Sequence, residues 1–386
     1  MKAFFEQHKE DMIQLLETIV NIDSGSYLKE GTDAVGHVLI KEYEKLGFEA
    51  QIDEQQTRGN NVLLKHKDAS NPSILMIGHI DTVFQQGTVA ERPFSIEGDK
   101  AFGPGVFDMK ASHVQILYVL KYLIEQNNEA YKNVYVILNT DEEIGSVHSR
   151  ALIEQTANKV EHVLIVEPTD ESGRIVTGRK GGGKFFLKVH GIASHSGGAP
   201  EKGVSAIEEL ARKILDLHAI TKHEGIHVNV GLVNGGTSVN TIAPFAEAAI
   251  DLRFETQAQG EFAKQQIIDI CTTTATKGIT LELSGDITRP AWSVGNAGTE
   301  ELAKLVIEEG SKLGLTIESC YSGGGSDGNF TGYLNIPTID SLGPRGGFAH
   351  QKEEYVIISS IAERGELLIQ VLNRLTIEQK KEAVIS

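Results

Sequence analysis

His79 and Asp81 stand two residues apart just after an apolar run, Ser73–Gly78 (SILMIG). A second run, Val134–Leu138 (VYVIL), leads into Asn139-Thr140-Asp141-Glu142-Glu143, and a third, Val163–Val166 (VLIV), into Glu167-Pro168. Between the first two lies Gly103-Pro104-Gly105-Val106-Phe107-Asp108, and late in the chain Gly346-Gly347-Phe348-Ala349-His350 follows another apolar stretch. Singly, each has a plainer reading: a polar turn, a solvated helix start, a Glu-Pro turn, a surface histidine. Their joint placement argues for chemistry. Histidine with carboxylate suits zinc, with cobalt or manganese also compatible. Two ions ~3.5–4 Å apart share a carboxylate, so five ligands, one bridging, give three to each ion. His79, Asp108, Glu143, Glu167 and His350 meet that need. Asp81 is placed to orient the His79 imidazole, and Glu142, beside a ligand, to act as general base.

These residues need a scaffold that brings them to one place. Short apolar runs with polar residues directly after them read as strands covered on both faces, and open α/β sheets bind ligands beyond the carboxyl ends of their strands. Asn61–His66 reads as a further strand, and residues 2–21, His113–Gln126 and Ser146–Gln155 read as helices. Alternation of buried strands and helices implies a parallel or mixed sheet with helices on both faces. The middle of the chain changes idiom. Lys184–His190, His227–Val233, Ala246–Phe254 and Ile279–Ser284 read as strands, with helices at Val204–His218 and Gln257–Lys277. The order is β-α-β-β-α-β, the split βαβ unit. After it come a helix at Thr299–Leu313 and a buried strand at Ile336–Ile339.

The 386 residues suffice for two domains or three, and 40% hydrophobic with 23% charged residues is ordinary globular composition. Acidic residues outnumber basic ones, 53 to 36, for a net charge of −17. A duplex nucleic-acid partner is not expected, because phosphates need a basic surface. Cys271 and Cys320 form no Cys-x-x-Cys pattern. Without an apolar signal-peptide core or a run of ~18 apolar residues, no membrane partner is expected and a cytoplasmic location is. Gly103-x-Gly105-x-x-Asp108 is a near miss to a dinucleotide fingerprint; the aspartate at its third position would repel pyrophosphate.

The stretches GHIDTV (Gly78–Val83), FGPGVFDMK (Phe102–Lys110), NTDEEIGS (Asn139–Ser146), VEPT (Val166–Thr169), SHSGGAPEKGVSAI (Ser194–Ile207), SVNTIAP (Ser238–Pro244), DLRF (Asp251–Phe254), GGGSDGN (Gly323–Asn329) and GPRGGFAH (Gly343–His350) resemble the zinc exopeptidases of the glutamate carboxypeptidase, acetylornithine deacetylase and succinyl-diaminopimelate desuccinylase type. The Gly-Pro-Gly loop, Glu-Pro-Thr and GGGSD resemble the glutamate carboxypeptidase branch most. The resemblance implies an α/β fold: a di-zinc exopeptidase-type catalytic domain (1–179 and 289–386), its mixed sheet flanked by helices, with an inserted ferredoxin-like lid and dimerisation domain (180–288). It implies that His79 and Glu167 bind one zinc, Glu143 and His350 the other, and that Asp108 bridges. It implies a homodimer through the lid, in which His195 stabilises the oxyanion in the partner's site. Asn240, Arg253 and Arg289 match positions that contact substrate, where a guanidinium fork suits a free carboxylate. The implied reaction is hydrolysis of the amide bond of a C-terminal amino acid in a short peptide or N-acyl amino acid. N-acyl amino acid deacylation and di- or tripeptide cleavage share the same ligands. A metal-holding relative without catalysis is the competing class, against which an intact Glu142 argues.

The chain departs from its relatives at Phe107 and at Ala111-Ser112, where many have glycines; these are expected to reshape the substrate pocket. The other ten of the 13 histidines, His113 among them, have no matching partners and read as surface or structural. Neither cysteine has a nucleophile's context, and Trp292 reads equally as pocket wall or core.

Overall fold

The computed structural model describes the backbone of residues 1–385 and the side chains of residues 1–379. The chain divides into two compact units: one of Met1–Gly178, Val294–Tyr321 and the residues from Ser326 onward, the other of Arg179–Ser293 and Ser322–Gly325. Among the described residues no helix is long and apolar enough to cross a membrane.

The first unit is built on a mixed sheet in the order Phe48–Asp53, Asn61–His66, Val134–Asn139, Ile74–His79, His162–Ile165, Thr338–Ile339. The first three strands pair antiparallel and the remaining pairings are parallel. Ile74–His79 is buried at every position, as a strand with helices over both faces must be. Ile74 and Met76 join the larger core on one face, with helices Ala111–Glu125 and Lys9–Val20. Leu75 and Ile77 join a smaller core on the other, with Ile153 and Phe330 from helices Arg150–Ala157 and Gly328–Tyr333. The period of two in the strand thus feeds two separate cores.

The second unit has the β-α-β-β-α-β order. Its antiparallel sheet runs Ile226–Gly235, Phe245–Phe254, Gly181–His190, Thr280–Arg289. Phe185, Leu187 and Val189 face a core shared with helices Ala206–Ala219 and Gln257–Thr272, while Lys184, Phe186 and Lys188 between them are exposed. Reciprocal backbone bonds, Arg179 N to Trp292 O at 2.9 Å and Trp292 N to Arg179 O at 3.0 Å, join the two ends of the long segment that makes this unit. Trp292 is fully buried, which settles its role as core.

Some boundaries differ from the sequence expectation, each for a local reason. The helix expected over 2–21 is broken at His8 into Lys2–Gln7 and Lys9–Val20; His8 leaves helical ψ, and its Nδ1 donates to the Phe4 carbonyl at 2.9 Å. The helix expected from Ser146 starts at Arg150. The intervening residues instead serve the buried Asp141 carboxylate, which accepts from His148 N at 2.6 Å and Ser149 Oγ at 2.5 Å. The helix expected to reach Lys277 ends at Thr272. A run of β-branched threonines follows, poor in helix propensity, and it bonds outward: Thr273 O accepts from Lys213 Nζ at 2.5 Å and Thr276 Oγ1 donates to Glu209 at 2.8 Å. The last strand runs on to Arg289 because its partner Gly181–His190 continues beside it.

Gly260 is in the first turn of helix Gln257–Thr272, where alanine is favoured by ~1 kcal/mol. A Cβ there would sit 2.6 Å from Phe254 Cε2, and one at Gly181 2.2 Å from the same atom, so the ring edge packs closely against both glycines. Overpacking of this kind costs ~1–3 kcal/mol. Gly260→Ala is therefore expected to lower stability in urea unfolding despite its better propensity; a gain would contradict this packing.

Candidate metal centre

The parallel strands deliver the first ligands. His79 ends strand Ile74–His79, and its backbone is braced on both sides: its N–H points to Met109 Sδ at 3.2 Å and its carbonyl accepts from His113 Nε2 at 2.6 Å. The imidazole Nε2 lies 3.0 Å from Asp108 Oδ1 and 3.6 Å from Glu167 Oε1. The second oxygen of Asp108 lies 3.3 Å from His350 Nε2, which is 3.1 Å from Glu143 Oε2. All five expected ligands are therefore brought together, with Asp108 between the two imidazoles, one oxygen toward each. Two sets of potential ligand atoms lie within 4.8 Å of one another: His79, Asp108 and Glu143, and His79, Glu142 and Glu167. Glu142 is thus at the edge of the cluster, within reach of a water held there.

Asp81 is fully buried and acts more broadly than an orienting carboxylate. His79 Nδ1 is 2.9 Å from the Asp81 carbonyl oxygen and 3.4 Å from Oδ1. The carboxylate accepts from Ser26 Oγ at 2.6 Å and from the backbone N–H groups of Glu142 and Glu143 at 3.2 Å each. One residue therefore holds the imidazole, through its carbonyl, and the turn that carries the base and a ligand, through its carboxylate.

Electrostatics argue that this cluster is built for cations. Burial pushes Glu167 up to about 8 and Glu143 to about 7, with the Asp108 charge adding to each. Burial would also raise Asp108, but the imidazoles of His350 and His79 outweigh it and hold that carboxyl well below the usual range. Contact with Asp108 and Glu143 lifts His350 to about 10. Burial opposes charge on His79, yet Glu167, Asp108 and Asp81 raise it well above its ordinary value. Glu143 Oε1, on a side chain only 6% exposed, has no hydrogen-bond partner among the described residues. An orphaned buried carboxylate oxygen is costly unless a cation takes it. The donor set of two imidazoles and three carboxylates fits a pair of divalent ions, zinc foremost, with cobalt and manganese compatible.

The remaining candidates lie in the second unit. His195 is exposed, and its Nδ1 accepts from Gly197 N at 3.2 Å and Gly198 N at 3.0 Å. The Asn240 carbonyl accepts from Ser196 N at 3.0 Å, so Asn240 and His195 are neighbours. Arg253 forms a bidentate pair with Asp251 at 2.9 and 3.0 Å. Arg253 and Arg289 are both cross-strand partners of Gly182, one on each side, so they share a face of the sheet.

Phe107, Ala111 and Ser112 are all buried. Ser112 Oγ sits where a Cβ on Gly343 would fall, 2.5 Å away. Three buried contributors escaped the sequence reading. His113, burial of which lowers it to about 4, is neutral and supports His79. Asp327 accepts from Asn139 Nδ2 at 2.7 Å and Ser146 Oγ at 2.5 Å, tying down the loop after Val134–Asn139. Glu354 lies in Gln351-Lys352-Glu353-Glu354, a charge run indistinguishable from a solvated one, yet it is fully buried. A cavity of about 320 Å³ adjoins Glu143, with Tyr27, Leu28, Val83, Phe84 and Ile144 in its walls.

Fold and site together define a hydrolase built around a cluster of metal-binding side chains beyond the strand ends of an α/β sheet. Residues 75–374 match the model of Peptidase family M20/M25/M40, and the chain belongs to that family. It is 33% identical over 361 residues to carboxypeptidase G2 of Pseudomonas sp. (strain RS-16), covering 92% of this chain and 86% of that protein. It is 29% identical over 241 residues to acetylornithine deacetylase of Proteus mirabilis, covering 58% and 61%. Among solved structures, a metallo-carboxypeptidase of this family from Sulfolobus solfataricus superposes with a TM-score of 0.76 at 20% identity, covering 94% and 98% of the two chains. Aminopeptidase PepT from Bacillus cereus gives 0.76 at 21%, covering 95% and 99%. The protein is thus an enzyme of the metallopeptidase class, hydrolysing peptide or acyl-amino acid bonds.

Because ions bind the folded cluster and not the dispersed unfolded chain, zinc at 100 times its dissociation constant is expected to stabilise the metal-free protein by ~2.7 kcal/mol per site. Calorimetric unfolding with zinc and with a chelator checks this; identical traces would remove the metal assignment.

Proposed function

We propose that this enzyme removes a C-terminal amino acid from a short peptide or an N-acyl amino acid, in the manner of a carboxypeptidase. The observation that carries the reading is the five-ligand cluster with Glu142 at its edge; the likeness to carboxypeptidase G2 over nearly the whole chain supports it. Divalent ions held by His79, Asp108, Glu143, Glu167 and His350 would supply Lewis acidity toward the substrate carbonyl and toward water. Glu142 takes the proton of the attacking water and passes it to the leaving amine. Asp81 holds Glu142 and Glu143 in register through their backbone amides.

His195 suits an oxyanion donor. Two backbone N–H groups occupy Nδ1, so the proton resides on Nε2, which is left to donate. Arg253 and Arg289, on one face of their sheet, with Asn240, are the carboxylate-recognising groups of this reading. The segment 180–288 acts as lid and dimerisation domain, with His195 serving the partner's site. Supporting this, the outer strand Ile226–Gly235 carries exposed Leu232 and Val233, 70% and 54% accessible. A cytoplasmic location fits its two unpaired cysteines.

The second reading is deacylation of N-acyl amino acids, favoured by the likeness to acetylornithine deacetylase. Amine release from N-acyl glutamates, other N-acyl amino acids, dipeptides and tripeptides separates the two. The cavity beside Glu143 has mostly apolar walls, with Tyr27, Leu28, Val83, Phe84 and Ile144 among them. Substrates with a neutral apolar group on the acyl side are expected to outpace those with an acidic one.

Glu142→Gln is expected to keep its metal and lose ~10²–10⁴-fold in kcat; undiminished hydrolysis would sink the mechanism. His195→Ala is expected to lose ~10²–10³-fold in kcat. Light scattering is expected to give a dimer, and a monomer at micromolar concentration would remove the partner-site role of His195.

A further inference from the structure

The loop Gly103–Asp108 must deliver one carboxylate between two imidazoles, yet its own sequence offers little to hold it. It is short, glycine-rich and without regular structure up to Val106. Gly105 has φ +73°, and a Cβ there would meet Thr82 Cγ2 at 2.4 Å, so neither the backbone turn nor the space admits a side chain.

What holds the loop is Glu354. Its Oε2 accepts from Gly105 N at 2.9 Å, and its Oε1 accepts from Phe107 N and from Asp108 N, both at 3.0 Å. Three of the loop's amides therefore converge on one carboxylate that is fully buried. The last of them belongs to Asp108 itself, so the bond fixes the backbone from which the bridging side chain springs. Glu354 is in turn anchored, because the next residues, Tyr355–Ile357, pair with strand Lys100–Phe102, which leads into the loop. On the loop's far side Lys110, also buried, donates to the Ile22 carbonyl at 2.9 Å.

We propose that Glu354 is a positioning residue for the metal pair: through three backbone N–H groups it sets the place of the Asp108 carboxylate, and so the affinity of the site for its ions. The proposal rests on the reading of Asp108 as the bridging ligand. The three amides all lie in the ligand loop, although the Phe107 side chain itself packs into the larger core. Glutamine at 354 keeps the shape but turns one acceptor oxygen into a donor. Either the Gly105 bond or the Phe107 and Asp108 pair is then lost, with an N–H facing an N–H.

The test titrates full-length, metal-free protein with Co²⁺, followed by visible absorption, for wild type, Glu354→Gln and Asp108→Asn. Supporting contacts of this kind change metal affinity ~10–100-fold. Glu354→Gln is expected to weaken Co²⁺ binding by that factor while its metal-free form keeps the wild-type circular dichroism. Wild-type affinity in Glu354→Gln, with binding lost in Asp108→Asn, overturns the positioning role and leaves the ligand reading intact. Wild-type affinity in Asp108→Asn overturns the ligand reading itself. Should Glu354→Gln fail to fold, hydrogen exchange on the metal-free wild type decides. Slow exchange at Gly105, Phe107 and Asp108 supports the clamp, and exchange at the rate of an open loop overturns it.

Discussion

The organising constraint in this protein is a concentration of buried negative charge. Asp108, Glu143 and Glu167 crowd around two imidazoles, with Glu142 close by. No arrangement of hydrogen bonds within such a group can satisfy it, because carboxylates only accept. The surrounding structure therefore holds the charges in place against their repulsion. It does so repeatedly with further buried carboxylates that grip backbone amides: Asp81 on the Glu142–Glu143 turn, Asp141 on His148, and Glu354 on the Asp108 loop. An anion that accepts two or three N–H groups is a stiff fastening, which suits loops too short to build a core of their own.

Much of this was legible in the sequence. The ligands follow strands whose unbroken apolar character marks them as buried on both faces, and a sheet of such strands has one ligand-binding edge. The antiparallel second unit was equally plain from its period-two strands. What escaped the sequence was the supporting shell. Glu354 sits in a run of charges, His113 in the first turn of a helix, and Asp327 in a glycine-rich stretch. Their roles depend on partners far along the chain, such as Glu354 with Gly105, and no local period encodes such a meeting.

The candidate groups of the second unit are held differently: His195 is exposed, Arg253 is paired with Asp251, and Arg289 is buried at 8% exposure. Two glycine amides fix the His195 tautomer, and a bare Gly182 separates two arginines on one sheet face.

The reciprocal bonds between Arg179 and Trp292 have a consequence for how such a chain can diversify. To the rest of the polypeptide, everything between those two residues is a single excursion that leaves and returns at one closed neck. The entropy of closing an excursion grows only as the logarithm of its length. Length and content inside the neck can therefore change greatly while the residues outside keep their register. A gene carrying this architecture can exchange the inserted module as a cassette while leaving the metal-binding cluster outside it in place.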